Sequence, residues 1–291
     1  MELSWATKLR IAAAAAVGVV LIGILAWPAT GPSETSGAVD LSGAATLLAL
    51  ALLAGFVGFF VSWPYGREIG ILAVPFGLAV WAVRSGSMAT LMQLNPSDTA
   101  RLAVLHSLKW QPVLWLVVVA AGFAGPLLCQ RKLSKPESAG QKPDSKPNPG
   151  KYLSPIIAVA AAAFIAYVCL GIFAQDVRLN DKPLGFVMAQ PAMGQLAFAV
   201  LMSFGLAAFA VRKMLGVGYV FPMIASVFVT AFAISSYAVN VQYLAHQWPA
   251  VFFSNSAASV LPCQMVAFGT LGSVAGYWMA ARYDHWRKYE M

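Results

Sequence analysis

The chain has 291 residues, 59% of them hydrophobic and 10% charged, against roughly 45–50% and 25% in soluble globular proteins. With a mean hydropathy of +0.71, this composition excludes a soluble protein and points to a polytopic helical membrane protein. The formal net charge of +8 would raise a nucleic-acid or acidic partner, unless the positions of the charges explain it otherwise.

A helix needs about 17–25 apolar residues to cross a hydrocarbon core of roughly 30 Å. Eight such runs are predicted, at residues 9–27, 42–63, 69–83, 112–129, 153–175, 191–211, 219–241 and 259–281. The third is the shortest, and its far end is expected to continue past Arg84 to Met88 or Met92. The first run, preceded by Lys8 and Arg10, resembles a signal peptide in outline. Its apolar stretch is too long for a usual signal core, and Trp27-Pro28-Ala29 lacks the small-x-small cleavage pattern, so it is read as a span.

With both termini cytoplasmic, 14 of the 19 basic residues fall on inner segments: Lys8, Arg10, Arg67, the six basic residues within 131–151, Arg212, Lys213, Arg282, Arg287 and Lys288. The outer segments balance five basic residues against five acids. The whole surplus therefore lies on one face, as the positive-inside rule requires, and no nucleic-acid partner is implied. Anionic lipid headgroups are attracted by the same residues.

Residues 130–152 are rich in Lys and carry Pro136, Pro143, Pro147 and Pro149, the composition of a flexible basic linker. They separate a first four-helix repeat (residues 1–129) from a second with a short basic tail (residues 153–291). Both halves open with an alanine run, at 12–16 and at 158 with 160–163. Both turn on basic residues (Arg67; Arg212-Lys213) and place a proline early in the third span (Pro75; Pro222). Both carry a His and a Trp before the fourth span (His106, Trp110; His246, Trp248). The fourth spans start near Pro112 and Pro262 and end in small-residue runs. An even number of spans per half makes the repeat parallel, which places a ligand or partner site near a pseudo-two-fold axis along the membrane normal. The fold class expected is an all-α integral membrane protein of eight spans, in a cell inner membrane.

Small residues mark close helix contacts in lipid. Ala12, Ala16, Ala160, Ala163, Gly272 and Gly276 are the packing candidates, with Gly55, Gly58 and Gly269 beside them. Residues 95–111 read as an interfacial helix starting at Pro96-Ser97-Asp98, with Leu102, Leu105, His106, Leu108 and Trp110 as its membrane-facing set. Residues 243–258 read as a short aromatic segment of the interfacial belt.

The chemistry is sparse. None of the charged residues falls in mid-span, which argues against ion-coupled transport. No nucleophile elbow, DxD pair or phosphate-binding glycine loop occurs, and Cys129, Cys169 and Cys263 form neither a CxxC nor a disulfide framework. Two neutral clusters remain: Ser85, Ser87 and Gln93 near the third span, and Ser235, Ser236, Asn240 and Gln242 near the end of the seventh. Together they are a candidate outer-face polar pocket. His106 and His246 are a candidate outer ligand pair, one from each half, that could hold a haem or a metal; otherwise no cofactor and no metal is expected.

The function expected is that of a non-enzymatic membrane subunit or scaffold, embedded in the bilayer and bound to protein partners in the membrane or at its cytoplasmic face. The alternative is a facilitator or permease for a neutral or lipophilic solute between the repeats. A third reading is an outer-face haem, redox or lipid-modifying enzyme resting on the two histidines.

Overall fold

The computed structural model describes residues 4–133, 150–244 and 248–289. In chain order the helices are α1 (Trp5–Gly18), which runs into a π-helical stretch (Val19–Leu25), α2 (Trp27–Thr30), α3 (Leu41–Val61), α4 (Gly66–Gly70), α5 (Ala73–Arg84), α6 (Met88–Leu94), α7 (Asp98–Leu108), α8 (Gln111–Leu133) and α9 (Gly150–Phe173). Strands β1 (Arg178–Asp181) and β2 (Gly185–Ala189) follow, then α10 (Met193–Leu215), α11 (Val220–Leu244), β3 (Phe252–Phe253), a 3-10 turn (Ser256–Ser259) and α12 (Pro262–Tyr289).

Among the described residues, six helices are long and apolar enough to cross a membrane: Trp5–Leu25, Leu41–Val61, Asp98–Gln130, Ser154–Phe173, Met193–Leu215 and Val220–Tyr243. There are seven if the segments flanking the break between α5 and α6 are taken as one span. The protein is thus a helical, membrane-embedded chain. At the expected eighth run, α12 has 28 residues, roughly 42 Å of helix, but is too polar to be among the six. The reason is its surroundings. Residues 256–274 are buried without interruption, so this helix faces protein rather than lipid and tolerates Gln264, Thr270, Ser273 and three glycines.

The chain is mostly helical, as expected, with one short sheet beside the helices. The segment between α9 and α10 folds as an antiparallel hairpin, in which Arg178 pairs with Met188 and Asp181 with Gly185, and β3 adds to it through Met188 and Phe253. Gly185 takes φ +77°, which the tight reversal after Lys182-Pro183-Leu184 requires. The Arg178 guanidinium lies 4.4 Å from the Phe186 ring centroid on the next strand.

The chain divides into two compact units, and the division does not follow the linker. The first comprises Met1–Gly31, Asp40–Trp81 and Val117–Ile156; the second comprises Pro32–Val39, Ala82–Leu116 and Ile157–Met291.

In the first unit the packing is written in small residues. Ala14, Gly18, Ile22, Ala26 and Thr30 form a buried row at every fourth position. In a regular α-helix such a row drifts around the axis. The π stretch widens the turn and so holds the row against α5. A Cβ on Gly18 would fall inside the Ala73 carbonyl, and one on Gly23 would lie 2.8 Å from Val80 Cγ1. Ala12 and Ala16, expected on this face, are exposed. The correction is a rotation of the buried face onto Ala14 and Gly18, because Gly18 is the residue that admits the α5 backbone. Between α3 and α8, a Cβ on Gly55 would lie 3.0 Å from Gly122 C, and one on Gly125 would lie 2.6 Å from Phe56 N. The Trp81 indole N–H donates to Thr30 Oγ1 (3.1 Å), whose hydroxyl donates to the Ala26 carbonyl (2.8 Å).

Asp40 caps α3. Its Oδ1 accepts from the Gly43 amide (2.9 Å) and its Oδ2 from the Ser42 hydroxyl (2.6 Å). The Ser42 bond first, and the Gly43 bond second, hold this carboxyl below the usual carboxylate range. A carboxyl depressed by folding adds stability above its unfolded pKa, and that contribution is lost as pH falls through the folded value. In an acid titration the Gly43 amide shift should therefore move with a midpoint below that of a free aspartate. A midpoint at the ordinary value would contradict the cap.

In the second unit α9 and the residue that follows it carry a buried row at the same spacing: Ala158, Ala162, Ala166 and Leu170 in the helix and Ala174 just after it. Ala160 is exposed and Ala163 half-buried, so the expected contact is again displaced, here onto Ala158 and Ala162. The central contact of this unit is between α10 and α12. A Cβ on Gly272 would lie 3.1 Å from Gly205 N, and one on Gly276 would lie 2.8 Å from Gly205 C. Gly272 and Gly276 thus lie on the side of α12 that approaches Leu201 and Gly205 of α10. The start of α7 at Pro96-Ser97-Asp98 likewise corresponds to its cap, in which Ser97 Oγ accepts from the Ala100 amide (3.3 Å). Leu105 and Leu108 on α7 are buried, while His106 and Trp110 are exposed.

Candidate functional site

A cluster of polar groups in the second unit is built around the break between α5 and α6. A continuous third span past Arg84 was the expectation. Instead the helix stops, passes through Ser85-Gly86-Ser87, and restarts. Gly86 has φ +89°, a left-handed conformation that a side chain would resist, so the glycine permits the break.

Breaking a helix in a membrane protein frees carbonyls at one end and amides at the other, and each costs several kcal/mol if left bare in hydrocarbon. Here two glutamines from distant parts of the sequence satisfy them. Gln264, fully buried on α12, donates through Nε2 to the Gly86 carbonyl (2.9 Å) and the Ala82 carbonyl (3.3 Å), while its Oε1 accepts from the Leu261 amide (3.1 Å). Gln190 accepts at Oε1 from the Ala89 amide (3.2 Å) and donates through Nε2 to the Ser259 carbonyl (3.0 Å). Ser87 accepts from the Thr90 amide (3.1 Å), capping α6. Ser85 donates to the Ala82 carbonyl (2.7 Å) and lies 3.3 Å from Cys263 Sγ.

The segment before α12 is the other side of this cluster. Its 3-10 turn is entirely buried, although its short serine-rich sequence gives no reason to bury it. Besides the Ser259 carbonyl held by Gln190, Ser256 donates to the Leu170 carbonyl of α9 (2.9 Å), Ser259 to the Ser256 carbonyl (2.7 Å), and Asn255 accepts from the Ala258 amide (3.0 Å). Tyr237 on α11 packs its ring 5.1 Å from Phe253, and Trp248 donates to the Phe252 carbonyl (2.8 Å).

The polar residues expected to converge divide by role. The hydrogen bonds of Ser85 and Ser87 run to Ala82, Cys263 and Thr90, which are neighbours of the break and not residues of α11. Ser235, Ser236 and Asn240 are half-buried along α11, and Gln93 and Gln242 are exposed. His106 is exposed on α7; His246, its expected counterpart, lies outside the described residues, as do residues 134–149 of the linker. Among the described residues no group of three or more His, Cys, Asp or Glu could hold a metal ion.

Gln264 stands out in the sequence as an amide inside an apolar run. Gln190, just before Pro191 and outside any run, carries no such signal. Among the described residues no general base stands beside Ser85 or Cys263, and apart from the Ser85–Cys263 and Ser87–Thr90 side-chain contacts the hydrogen bonds named here join side chains to backbone. It holds a broken helix in place. No protein-family model, curated protein or solved structure matches the chain.

Proposed function

We propose that the chain is a non-enzymatic subunit of a larger membrane assembly, multi-pass in a cell inner membrane. Its eight spans form two parallel four-helix repeats, and its partners are other proteins in the bilayer or at the cytoplasmic face. The observation that carries this reading is the hydrogen bonding at the α5–α6 break. The glutamine amides and serine hydroxyls there are engaged with backbone, which suits a rigid element that presents helix surfaces better than a reactive centre.

Two features support the repeat. The buried rows of α1 and α9 correspond residue for residue, Ala14 to Ala158, Gly18 to Ala162, Ile22 to Ala166, Ala26 to Leu170 and Thr30 to Ala174. The second and fourth spans of each half also meet through glycines, Gly55 with Gly122 and Gly125 in one, Gly205 with Gly272 and Gly276 in the other. On this reading α12 is the eighth span, shielded by its neighbours.

The test is extraction from native membranes in a mild detergent after brief crosslinking. A partner recovered at fixed stoichiometry is the expected result. A monodisperse lone protein that accelerates solute uptake into liposomes would overturn it and establish the second reading, a facilitator for a neutral or lipophilic solute. That reading is favoured by one observation, the non-helical backbone at Ser85-Gly86-Ser87, since interrupted helices line pathways in transporters.

A further inference from the structure

We infer that the adjoining ends of α10 and α12 form a headgroup site for an anionic phospholipid. The inference rests on the membrane topology proposed above, in which this end faces the cytoplasm, and it narrows that reading by giving the basic tail to lipid and not to a protein.

The site begins with the last turn of α10. Arg212 donates through Nη1 to the Gly216 carbonyl (2.8 Å), and its guanidinium lies 5.1 Å from the Tyr277 ring centroid. Gly216 itself is left-handed, φ +68°, and ends the helix. These contacts fix the plane of the guanidinium while using one of its five N–H donors, which leaves a fork that suits two phosphate oxygens. Lys213 lies 4.5 Å from the Tyr283 ring centroid and is ion-paired with Asp284.

The second part is α12, which continues past the end of α10. Residues 282–288 are all exposed and bring Arg282, Arg287 and Lys288 to the same end. Among the described residues, Arg212, Lys213, Arg282, Arg287 and Lys288 at these helix ends are joined by the carboxylate of Asp284, and Glu290 follows in the sequence. Tyr283 and Trp286 stack with ring centroids 6.1 Å apart, and both are partly exposed. Aromatic rings of this kind settle at the depth of the headgroups. The cations therefore lie at the level of lipid phosphates, and in this stretch of sequence they outnumber the acids Asp284 and Glu290.

Phosphate is the shared chemistry, and an anionic phospholipid is the source argued for, because the aromatic row adds contact with the lipid interface that a free ion could not use. Each cation near an anionic surface favours binding by roughly fivefold.

The test uses the full chain in phosphatidylcholine nanodiscs that contain a fixed fraction of either brominated phosphatidylglycerol or brominated phosphatidylcholine. The bromine quenches nearby Trp fluorescence. The difference between wild type and Trp286→Phe isolates the signal of Trp286 from the other tryptophans. The expected result is at least about fivefold stronger quenching of Trp286 by the anionic lipid. The preference should vanish in Arg212→Gln with Lys213→Gln, return in part with Arg212→Lys, and survive Lys8→Gln with Arg10→Gln. Because the wild-type comparison alone reads the preference, the test stands even if the double variant fails to fold. Equal quenching by the two lipids would overturn the site. So would its displacement by millimolar inorganic phosphate, which would make it a free-anion site, or selective capture of a polyglutamate peptide without lipid preference. A result in which the lipid preference fails while a stoichiometric membrane partner is still recovered would refute this inference and leave the proposed function standing.

Discussion

Gly276→Leu should destabilise the protein by about 3 kcal/mol, the upper range for forcing extra volume into a packed interior. At this position α10 and α12 approach backbone to backbone, and a Cβ would lie 2.8 Å from Gly205 C and 3.0 Å from its Cα. A flexible side chain could move aside; a helix backbone cannot without separating the two helices along their length. Gly272→Leu should behave alike, since its Cβ would lie 3.1 Å from Gly205 N. Gly122→Leu provides the matching test in the first unit, where the obstacle is Val74 Cγ1 at 2.9 Å. Gly171→Ala and Gly194→Ala have open space and are the controls. Unfolding of the detergent-solubilised protein, followed by titration with a denaturing detergent, measures all five. If Gly276→Leu unfolds with the controls, the close packing of α10 on α12 is wrong.

Gln264→Leu has the second large expected effect. The side chains are similar in volume, so the change is almost wholly one of hydrogen bonding. It removes the donor to the Ala82 and Gly86 carbonyls and the acceptor for the Leu261 amide. A single side-chain hydrogen bond between membrane helices contributes about 0.6 kcal/mol on average, because the partners usually find substitutes. Here the partners are backbone groups around a broken helix and Gln264 is fully buried; the Ala82 carbonyl keeps the Ser85 hydroxyl, but the Gly86 carbonyl and the Leu261 amide lose their glutamine partner, so the cost of unsatisfied groups governs and is about 3 kcal/mol. Amide exchange at Ser87, Met88 and Ala89 should also accelerate as the break loosens. Gln264→Glu gives a discriminating control. An ionised carboxylate accepts from Leu261 but cannot donate to the carbonyls, whereas a protonated one can donate. That variant should therefore recover stability as pH falls. Wild-type stability in Gln264→Leu at all pH values would remove the glutamine from its assigned role.

Four of the expected spans, at residues 42–63, 153–175, 191–211 and 219–241, can be read in the sequence because lipid demands a continuous apolar run. They correspond to α3, α9, α10 and α11. What escapes such reading is what depends on protein neighbours. The buried faces of α1 and α9 cannot be read from alanine content, since Ala12 and Ala14 are the same residue type and only the second is buried. The break at Ser85-Gly86-Ser87 is marked by its glycine and serines, but its partner Gln190 lies more than a hundred residues away and outside any periodic pattern. The polar character of α12 follows from enclosure, which no hydropathy scale contains. Ser87 is visible as a polar residue, but its role as the cap of α6 becomes legible only once the helix is known to stop at Arg84.

The reading of eight spans in parallel halves is tested most directly by thiol accessibility from the two sides of the membrane, in a chain whose Cys129, Cys169 and Cys263 are replaced. The positions are Ser145→Cys in the linker, Met214→Cys at the end of α10 and Lys288→Cys at the end of α12, set against Thr35→Cys, Thr99→Cys and Asn180→Cys. The account predicts that an impermeant reagent applied from the cytoplasmic side labels the first three alone, and applied from the opposite side labels the last three alone. Labelling of Met214→Cys and Lys288→Cys from opposite sides would contradict it.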